Sequence, residues 1–297
     1  MRGLGRLITA MVTPFDSEGN VDYQQAKKLA RALLDSGSDG VLVSGTTGES
    51  PTLTWDEKLR LFAEVKSAVS DRGVIIAGTG SNNTRQSQEL TKASESIGVD
   101  ACLLVVPYYN KPTQRGLYEH FKVIAESTAL PCILYNVPSR TVANLAADTV
   151  IKLSLLGNII GVKEASGNLR QIASIIQGTR SDFLVYSGND ADTLPVLSLG
   201  GFGVISVASH LVGFQVKDMI NRFLGGQTQE AAVMHRRLLP LVNSMFIVTN
   251  PSPVKYALGH IGFPVGEPRL PLVKPDDSSA KAITMTLGNY KIDLPLS

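Results

Sequence analysis

A single lysine ends an apolar run in the segment "NIIGVKEASG", residues 158–167. Taking an ammonium group out of water is costly unless another group compensates for the lost hydration. A primary amine in a water-poor pocket gives up its proton more readily and can then attack a carbonyl carbon, and the resulting imine stabilises a carbanion on the adjacent carbon. Lys163 is therefore the candidate nucleophile. The alternative is a lysine that reaches out to solvent or pairs with Glu164.

Further groups that can do chemistry follow other apolar runs. The phenols of Tyr135 and Tyr109 both donate and accept hydrogen bonds, so they can pass protons. Arg140 can hold a carboxylate through two hydrogen bonds. The small residues of "SGTTGES", residues 44–50, offer hydroxyls and backbone N–H groups that can bind a carboxylate or a phosphate. Each feature has an ordinary alternative: a tyrosine that suits a strand end, a solvated arginine, and a turn that caps the next helix.

The composition disfavours several other functions. The four histidines are dispersed and the two cysteines lack the spacing of a zinc site, so we expect no metal. The "SGTTGES" turn lacks the lysine of a P-loop, which argues against a nucleotide. The net charge is +2 and the basic residues are scattered, so neither nucleic acid nor an anionic membrane is an expected partner. No apolar run approaches the roughly 20 residues that span a bilayer.

The candidate residues stand at the ends of strand-length apolar runs that alternate with longer amphipathic segments. The runs are apolar at nearly every position, which is typical of parallel strands buried on both faces. Eight such repeats in roughly 205 residues predict an α/β fold, a (β/α)₈ TIM barrel, with its active site at the carboxyl ends of the strands. A doubly wound sheet is the alternative, but "TPF" follows the first strand instead of a glycine-rich loop. The predicted strands are 6–12, 40–45, 73–80, 101–107, 132–137, 159–164, 183–188 and 203–207.

We expect residues 1–210 to form the barrel with the active site, and residues 211–297 to form a helical C-terminal extension packed on it. The stretch 211–246 has continuous helical character with a break at "GGQT", and "NPSPVKYALGHIG" opens another helix after two prolines. Cys102 and Cys132 lie inside apolar runs, as buried free thiols would. Such thiols are typical of a reducing compartment, so we expect a cytoplasmic protein.

Five motifs together resemble one known family. "GTTGES", "PYYNKP", "LYNVPSRT", "GVKEASG" and "GGFGVISV" occur in the order and approximate spacing of the dihydrodipicolinate synthase family. The resemblance runs from the first strand to "NPSPVKYAL", nearly the whole chain, and the combination is specific although each motif alone is not. The wider superfamily includes N-acetylneuraminate lyase and 2-keto-3-deoxy sugar acid aldolases, which are similar in the barrel, the lysine and the turn.

The resemblance implies a lyase of diaminopimelate and lysine biosynthesis. Pyruvate would form a Schiff base with Lys163, its enamine would attack L-aspartate-4-semialdehyde, and cyclisation would give 4-hydroxy-tetrahydrodipicolinate. No cofactor beyond this covalent imine is implied, and the assembly would be a homotetramer, a dimer of dimers. The resemblance also implies roles for other residues: proton transfer by Tyr135 with Thr46 and with Tyr109, which would reach into the neighbouring subunit's site; pyruvate binding by Thr47, the Ile205 backbone and Gly188; and binding of the aldehyde substrate's carboxylate by Arg140.

Two other functions remain open from the sequence. One is another pyruvate-dependent class I aldolase of the superfamily, and the other is a barrel that binds a keto acid without turnover. Arg140 and Tyr109 favour the synthase, because a sugar-acid aldolase is expected to present more hydrogen-bonding side chains to its longer aldehyde. The intact set of lysine, phenol and threonine argues against a non-catalytic protein.

One departure from the family pattern concerns feedback inhibition by lysine. Inhibited members often carry histidines on the helix after "GTTGES" and a glutamate further on, at positions matched here by Trp55, Lys58 and Gln86. The charge of Lys58 would repel an incoming ammonium, and Gln86 lacks the attracting acid. We predict weak or absent inhibition by lysine, although other positions of the expected site are kept, namely Ser50, Asn82 and Tyr108.

Overall fold

The computed structural model describes residues 3–295 of the 297-residue chain. Eight strands of the described residues form a closed barrel in sequence order, and the strand pairs are parallel. This architecture confirms the predicted (β/α)₈ barrel. All eight predicted strands are present, most of them shorter by one or two residues at an end. They are β1 (Leu7–Ala10), β2 (Gly40–Val43), β3 (Val74–Gly78), β4 (Ala101–Val105), β5 (Cys132–Asn136), β6 (Ile159–Glu164), β7 (Leu184–Ser187) and β8 (Gly203–Ser206).

Burial explains why the strands are apolar at nearly every position. All residues of β1, β3 and β5 are buried. A strand covered on both faces has no solvent side, so the alternation of polar and apolar residues that marks a half-exposed strand is lost. The apolar runs in the sequence therefore record a sheet that is enclosed on both faces.

Twelve α-helices lie among the described residues, and several begin at a side-chain cap. The helix after β2 starts with a capping box, in which Thr54 accepts from the Glu57 N–H and Glu57 accepts from the Thr54 N–H. The helices are α1 (Tyr23–Asp35), α2 (Trp55–Val69), α3 (Thr84–Ile97), α4 (Gln114–Ala125), α5 (Pro138–Thr141), α6 (Ala147–Leu153), α7 (Leu169–Gly178), α8 (Thr193–Ser198), α9 (Ser209–Leu224), α10 (Thr228–Ser244), α11 (Ser252–His260) and α12 (Asp277–Leu287).

The chain divides into two compact units. One contains the residues up to Ile75 together with those from Ser206 onwards, and the other is Ile76–Ile205. The helices from α9 to α12 fall in the same unit as β1, β2 and the first two residues of β3. The expected boundary after residue 210 stays a prediction.

The C-terminal part is helical, as the sequence predicts, with one addition. The break at "GGQT" separates α9 from α10, and of the two prolines in "NPSP" Pro251 precedes α11 while Pro253 lies in its first turn. The last helix, α12, was not expected, because the segment before it is rich in proline. Its local signal is Asp276, whose carboxylate accepts from the Ser279 N–H and caps the helix, followed by the buried Ile283 and Leu287.

Candidate active site

Lys163 and Tyr135 are neighbours on adjacent strands of the second unit. The parallel register of β5 and β6 places Tyr135 opposite Lys163. The Lys163 side chain is buried, with 5% of the residue exposed, and its Nζ lies 4.4 Å from the centroid of the Tyr135 ring. Since both residues stand near the carboxyl ends of their strands, the amine and the phenol lie where barrel enzymes place their reacting groups.

Glu164 is the obvious carboxylate for Lys163, but it has other partners. It accepts from Asn136 Nδ2 at 3.1 Å with each oxygen, from the Ser166 N–H at 2.8 Å and from Gln171 Nε2 at 3.0 Å. No residue in the described range forms an ion pair with Lys163. The amine is therefore buried beside an aromatic ring instead of being held by an acid, which leaves its Nζ available for a ligand.

Gly188 provides the space beside this amine. A Cβ atom at position 188 would lie 2.7 Å from Ala165 Cβ and 3.2 Å from Lys163 Cε. The Gly188 N–H donates to the Glu164 carbonyl at 2.7 Å, so the backbone comes too close for any larger residue. The glycine therefore keeps room next to the lysine side chain.

The remaining predicted residues of this unit differ in exposure. Arg140 is exposed in the short helix α5, and its guanidinium has no ion-pair partner among residues 3–295. Tyr109 is 89% exposed and has a left-handed backbone with φ 74°, which is unusual for a bulky residue. Ile205 is buried on β8. A free guanidinium and an exposed phenol are thus presented to solvent, while the lysine lies inside.

The "SGTTGES" loop belongs to the first unit and is fixed by residues far away in the sequence. Thr47 is buried, and its Oγ1 accepts a hydrogen bond from Asn250 Nδ2 at 2.9 Å. Thr46 is half-buried, and its carbonyl accepts from the Glu49 N–H. Because Thr54 caps α2, the threonines of the loop are not used as helix caps. That interpretation of the loop is therefore wrong.

A buried ion pair holds the same loop and was missed by the sequence reasoning. Glu49 contacts Lys255 Nζ at 2.6 Å, and both side chains are almost completely buried. The second Glu49 oxygen accepts from the Arg269 N–H at 2.8 Å. Burial lowers the pKa of Lys255 to about 8, against the opposing effect of Glu49. The signal in the sequence is a lysine among apolar residues in "NPSPVKYAL". This signal cannot be interpreted from the sequence, because the partner, Glu49, is about 200 positions away.

The positions matched to a lysine inhibitor site lie in both units. In the first unit, Trp55 is exposed at the start of α2, and partial burial lowers the pKa of Lys58. In the second unit, the Asn82 carbonyl accepts from Asn110 Nδ2 at 2.9 Å, and Gln86 is exposed on α3. The other two positions, Ser50 and Tyr108, are half-buried.

Two features are absent from the described residues. No helix within residues 3–295 is both long and apolar enough to cross a membrane. No group of three or more histidine, cysteine, aspartate or glutamate residues in the same range could hold a metal ion.

The fold defines the chain as a (β/α)₈-barrel protein, and a buried amine beside a phenol on neighbouring strands suits imine chemistry. Residues 3–289 match the model of the dihydrodipicolinate synthetase family. The chain is 63% identical to the 4-hydroxy-tetrahydrodipicolinate synthase of Dehalococcoides mccartyi strain CBDB1 over 100% of both chains. The chain therefore belongs to the dihydrodipicolinate synthetase family, as its motifs predicted.

Solved structures agree with this membership. The dihydrodipicolinate synthase of Bacillus anthracis superposes with a TM-score of 0.96 at 46% identity, covering 98% of this chain and 100% of that one. The enzyme of Cyanidioschyzon merolae, solved with lysine bound, gives a TM-score of 0.95 at 49% identity, covering 96% and 98%.

Proposed function

We propose that the chain catalyses the condensation of pyruvate with L-aspartate-4-semialdehyde to 4-hydroxy-tetrahydrodipicolinate. The names of the relatives support this activity. An enzyme with this activity is a lyase of diaminopimelate and lysine biosynthesis. The observation that carries the chemistry is the buried Lys163 amine, which lies 4.4 Å from the Tyr135 ring and is not claimed by the neighbouring Glu164.

The first step uses the amine as a nucleophile. Lys163 Nζ attacks C2 of pyruvate, and loss of the carbonyl oxygen as water gives a protonated imine. Removal of a methyl proton then moves the C–H electrons into the imine and forms an enamine. The space that Gly188 keeps beside Lys163 Cε would accommodate this adduct.

The second half of the reaction joins the two substrates. The enamine carbon attacks the aldehyde of aspartate semialdehyde, whose oxygen takes up a proton. The amino group of that substrate then attacks C2 and closes the ring, which releases Lys163 as the free amine.

Protons are moved by hydroxyl groups in this proposal. Tyr135 is the main donor and acceptor, because its ring lies against the lysine side chain. Thr46 and Tyr109 complete the relay, and the almost full exposure of Tyr109 suits a phenol that enters the site of a neighbouring subunit.

Anion binding falls to the remaining residues. Thr47 and the Ile205 backbone bind the pyruvate carboxylate, and Gly188 lines the same site. The guanidinium of Arg140, exposed and without an ion-pair partner among the described residues, binds the carboxylate of the aldehyde substrate. This arginine favours the synthase over a sugar-acid aldolase.

The proposal includes the setting of the enzyme. It needs no cofactor besides the covalent imine, and it acts as a homotetramer in the cytoplasm. Cys102 and Cys132 are register partners on β4 and β5, yet both are free cysteines. Free thiols at neighbouring positions suit a reducing compartment.

Reductive trapping tests the mechanism. The protein is incubated with pyruvate and borohydride, digested, and the modified peptide is found by mass spectrometry. We expect one adduct, on Lys163, and none on Lys255, a matched control that is equally buried but paired with Glu49. An adduct elsewhere, or none, contradicts the mechanism. Comparing aspartate semialdehyde with sugar-acid aldehydes as second substrates tests the specificity.

A further inference from the structure

Asn250 is a buried polar residue to which the proposed chemistry gives no role. It lies just before α11, with 4% of the residue exposed. Its Nδ2 donates to Thr47 Oγ1 at 2.9 Å, and the two residues are 203 positions apart in the sequence. Its Oδ1 is buried and has no hydrogen-bond partner in the described part of the chain. The side-chain amide thus contacts the hydroxyl that we propose to bind the pyruvate carboxylate.

The direction of this hydrogen bond decides what the Thr47 hydroxyl can do. An amide nitrogen has only hydrogens to offer, so Thr47 Oγ1 is the acceptor. The single hydrogen of the hydroxyl is then left for another partner, and within the described residues it is donated to none. A buried hydroxyl hydrogen without an acceptor suits a carboxylate, which only accepts.

We propose that Asn250 is a positioning residue for keto-acid binding, because it fixes the Thr47 hydroxyl as a donor to the carboxylate. Without this contact the hydroxyl can rotate. Binding the substrate must then fix its orientation, and the entropy lost in doing so weakens the binding. The inference rests on the proposed function, in which Thr47 binds pyruvate.

A second contact between the same two segments keeps Asn250 in place. Lys255, five positions after Asn250, forms the buried ion pair with Glu49, two positions after Thr47. The Lys255 N–H also donates to the Pro251 carbonyl at 3.0 Å, as part of the first turn of α11. The side-chain amide is therefore attached to a segment that is itself fixed against the loop.

Steady-state kinetics of Asn250→Leu, Thr47→Val and the double variant test the proposal. Asn250→Leu keeps a similar volume without the donor, and we expect the KM for pyruvate to rise about tenfold, the size of one hydrogen bond to a charged group. The kcat should change little, as for loss of binding that is equal in the ground and transition states. In the Thr47→Val background the same change should have no further effect, because the hydroxyl it orients is gone.

Two further variants separate this role from a general loosening of the loop. Thr13→Val removes a 2.6 Å hydrogen bond to the Gly48 carbonyl without touching the Thr47 hydroxyl, and its KM should stay near that of the wild type. Asn250→Asp keeps the shape but turns the donor into an acceptor of the Thr47 hydrogen, so its KM should rise even if Asn250→Leu fails to fold.

The outcomes are distinct. A wild-type KM for the Asn250 variants overturns the inference, as does an equal effect of Asn250→Leu with and without the Thr47 hydroxyl, or an equal rise for Thr13→Val. Failure of pyruvate to form an adduct with Lys163 in the wild-type protein contradicts the proposed function itself, whatever the variants show.

Discussion

Two lysines of this protein are buried to nearly the same degree but are suited to different tasks. Lys255 lies 2.6 Å from Glu49, and its ammonium also faces the Phe15 ring at 4.0 Å. Lys163 faces the Tyr135 ring at 4.4 Å, and its neighbour Glu164 is bound by amides. The acid holds the Lys255 ammonium in place, whereas the Lys163 amine has no such partner among the described residues and is available for the reaction that we propose. We therefore expect the partner of each lysine, and not its degree of burial, to set its role.

At this scale, Tyr135→Phe tests the proton transfer. Removing the phenolic hydroxyl keeps the ring against Lys163, so pyruvate should still be trapped on the lysine at saturation. The kcat should fall about 10²–10⁴-fold, the range for loss of a general acid or base. A coupled assay of product formation measures the loss. Tyr256→Phe, whose hydroxyl contacts Thr284, is the matched control and should keep wild-type kcat. Retention of more than a tenth of kcat by Tyr135→Phe would refute the role.

The loop from 44 to 50 is an element whose shape depends on distant partners. Two of its residues, Ser44 and Glu49, have left-handed backbones, which cost energy for residues other than glycine. The Gly48 carbonyl is bound by Thr13, while Asn250 and Lys255 bind the side chains on either side of it. These contacts stabilise a conformation that the loop sequence alone would not favour.

The ion pair in this loop is testable by unfolding. Glu49→Gln leaves the Lys255 ammonium buried without its counter-charge, and breaking such a pair from one side costs about 3–5 kcal/mol. Urea unfolding at fixed protein concentration should show this loss. In the Glu49→Gln/Lys255→Met double variant no charge remains buried, so much of the stability should return. A single variant as stable as the wild type would mean that the pair contributes nothing.

His210 affects the stability of the whole molecule. It is fully buried, its Nε2 accepts from the Val12 N–H at 3.2 Å, and its Nδ1 lies 2.8 Å from the Val207 carbonyl. The ring therefore donates from Nδ1 and accepts at Nε2, which requires the neutral form. A second proton would sit on Nε2, and its N–H would then face the Val12 N–H, so that two donors would oppose each other. The ring thus joins the segments that follow β1 and β8.

The pH dependence of stability follows from this arrangement. Burial lowers the pKa of His210 to about 4, and that of His120 also to about 4. Because the unfolded chain takes up these protons near pH 6.5, the unfolded state binds more protons between the two values. The free energy of unfolding therefore has its full value above about pH 6.5 and decreases as the pH is lowered towards 4. Melting curves from pH 7.5 to 5 should show a smaller decline for His210→Gln, and an unchanged decline for the exposed His260→Gln. Equal declines in all three proteins would exclude this role for His210.

Regulation also belongs to the scale of the whole molecule. Lys58 is partly buried, and burial lowers its pKa because it penalises the charged form. With this lysine in place of a histidine and Gln86 in place of an acid, we expect activity to persist in millimolar lysine. A Lys58→His/Gln86→Glu variant should become more sensitive to lysine. Inhibition of the wild-type protein at micromolar lysine would contradict this prediction.

The sequence alone determined the barrel, the position of Lys163 at the end of β6 and the family, because each depends on local patterns: apolar runs of strand length, amphipathic helices and motifs of adjacent residues. Helix α12 was not predicted, because its periodic segment is short and follows a stretch rich in proline. Only the tertiary structure decided which buried polar groups are partners: Glu164 with Asn136, Glu49 with Lys255, and Thr47 with Asn250. Such partners lie up to about 200 positions apart in the chain, and no periodicity records a contact at that distance, since it exists only once the intervening segments have folded.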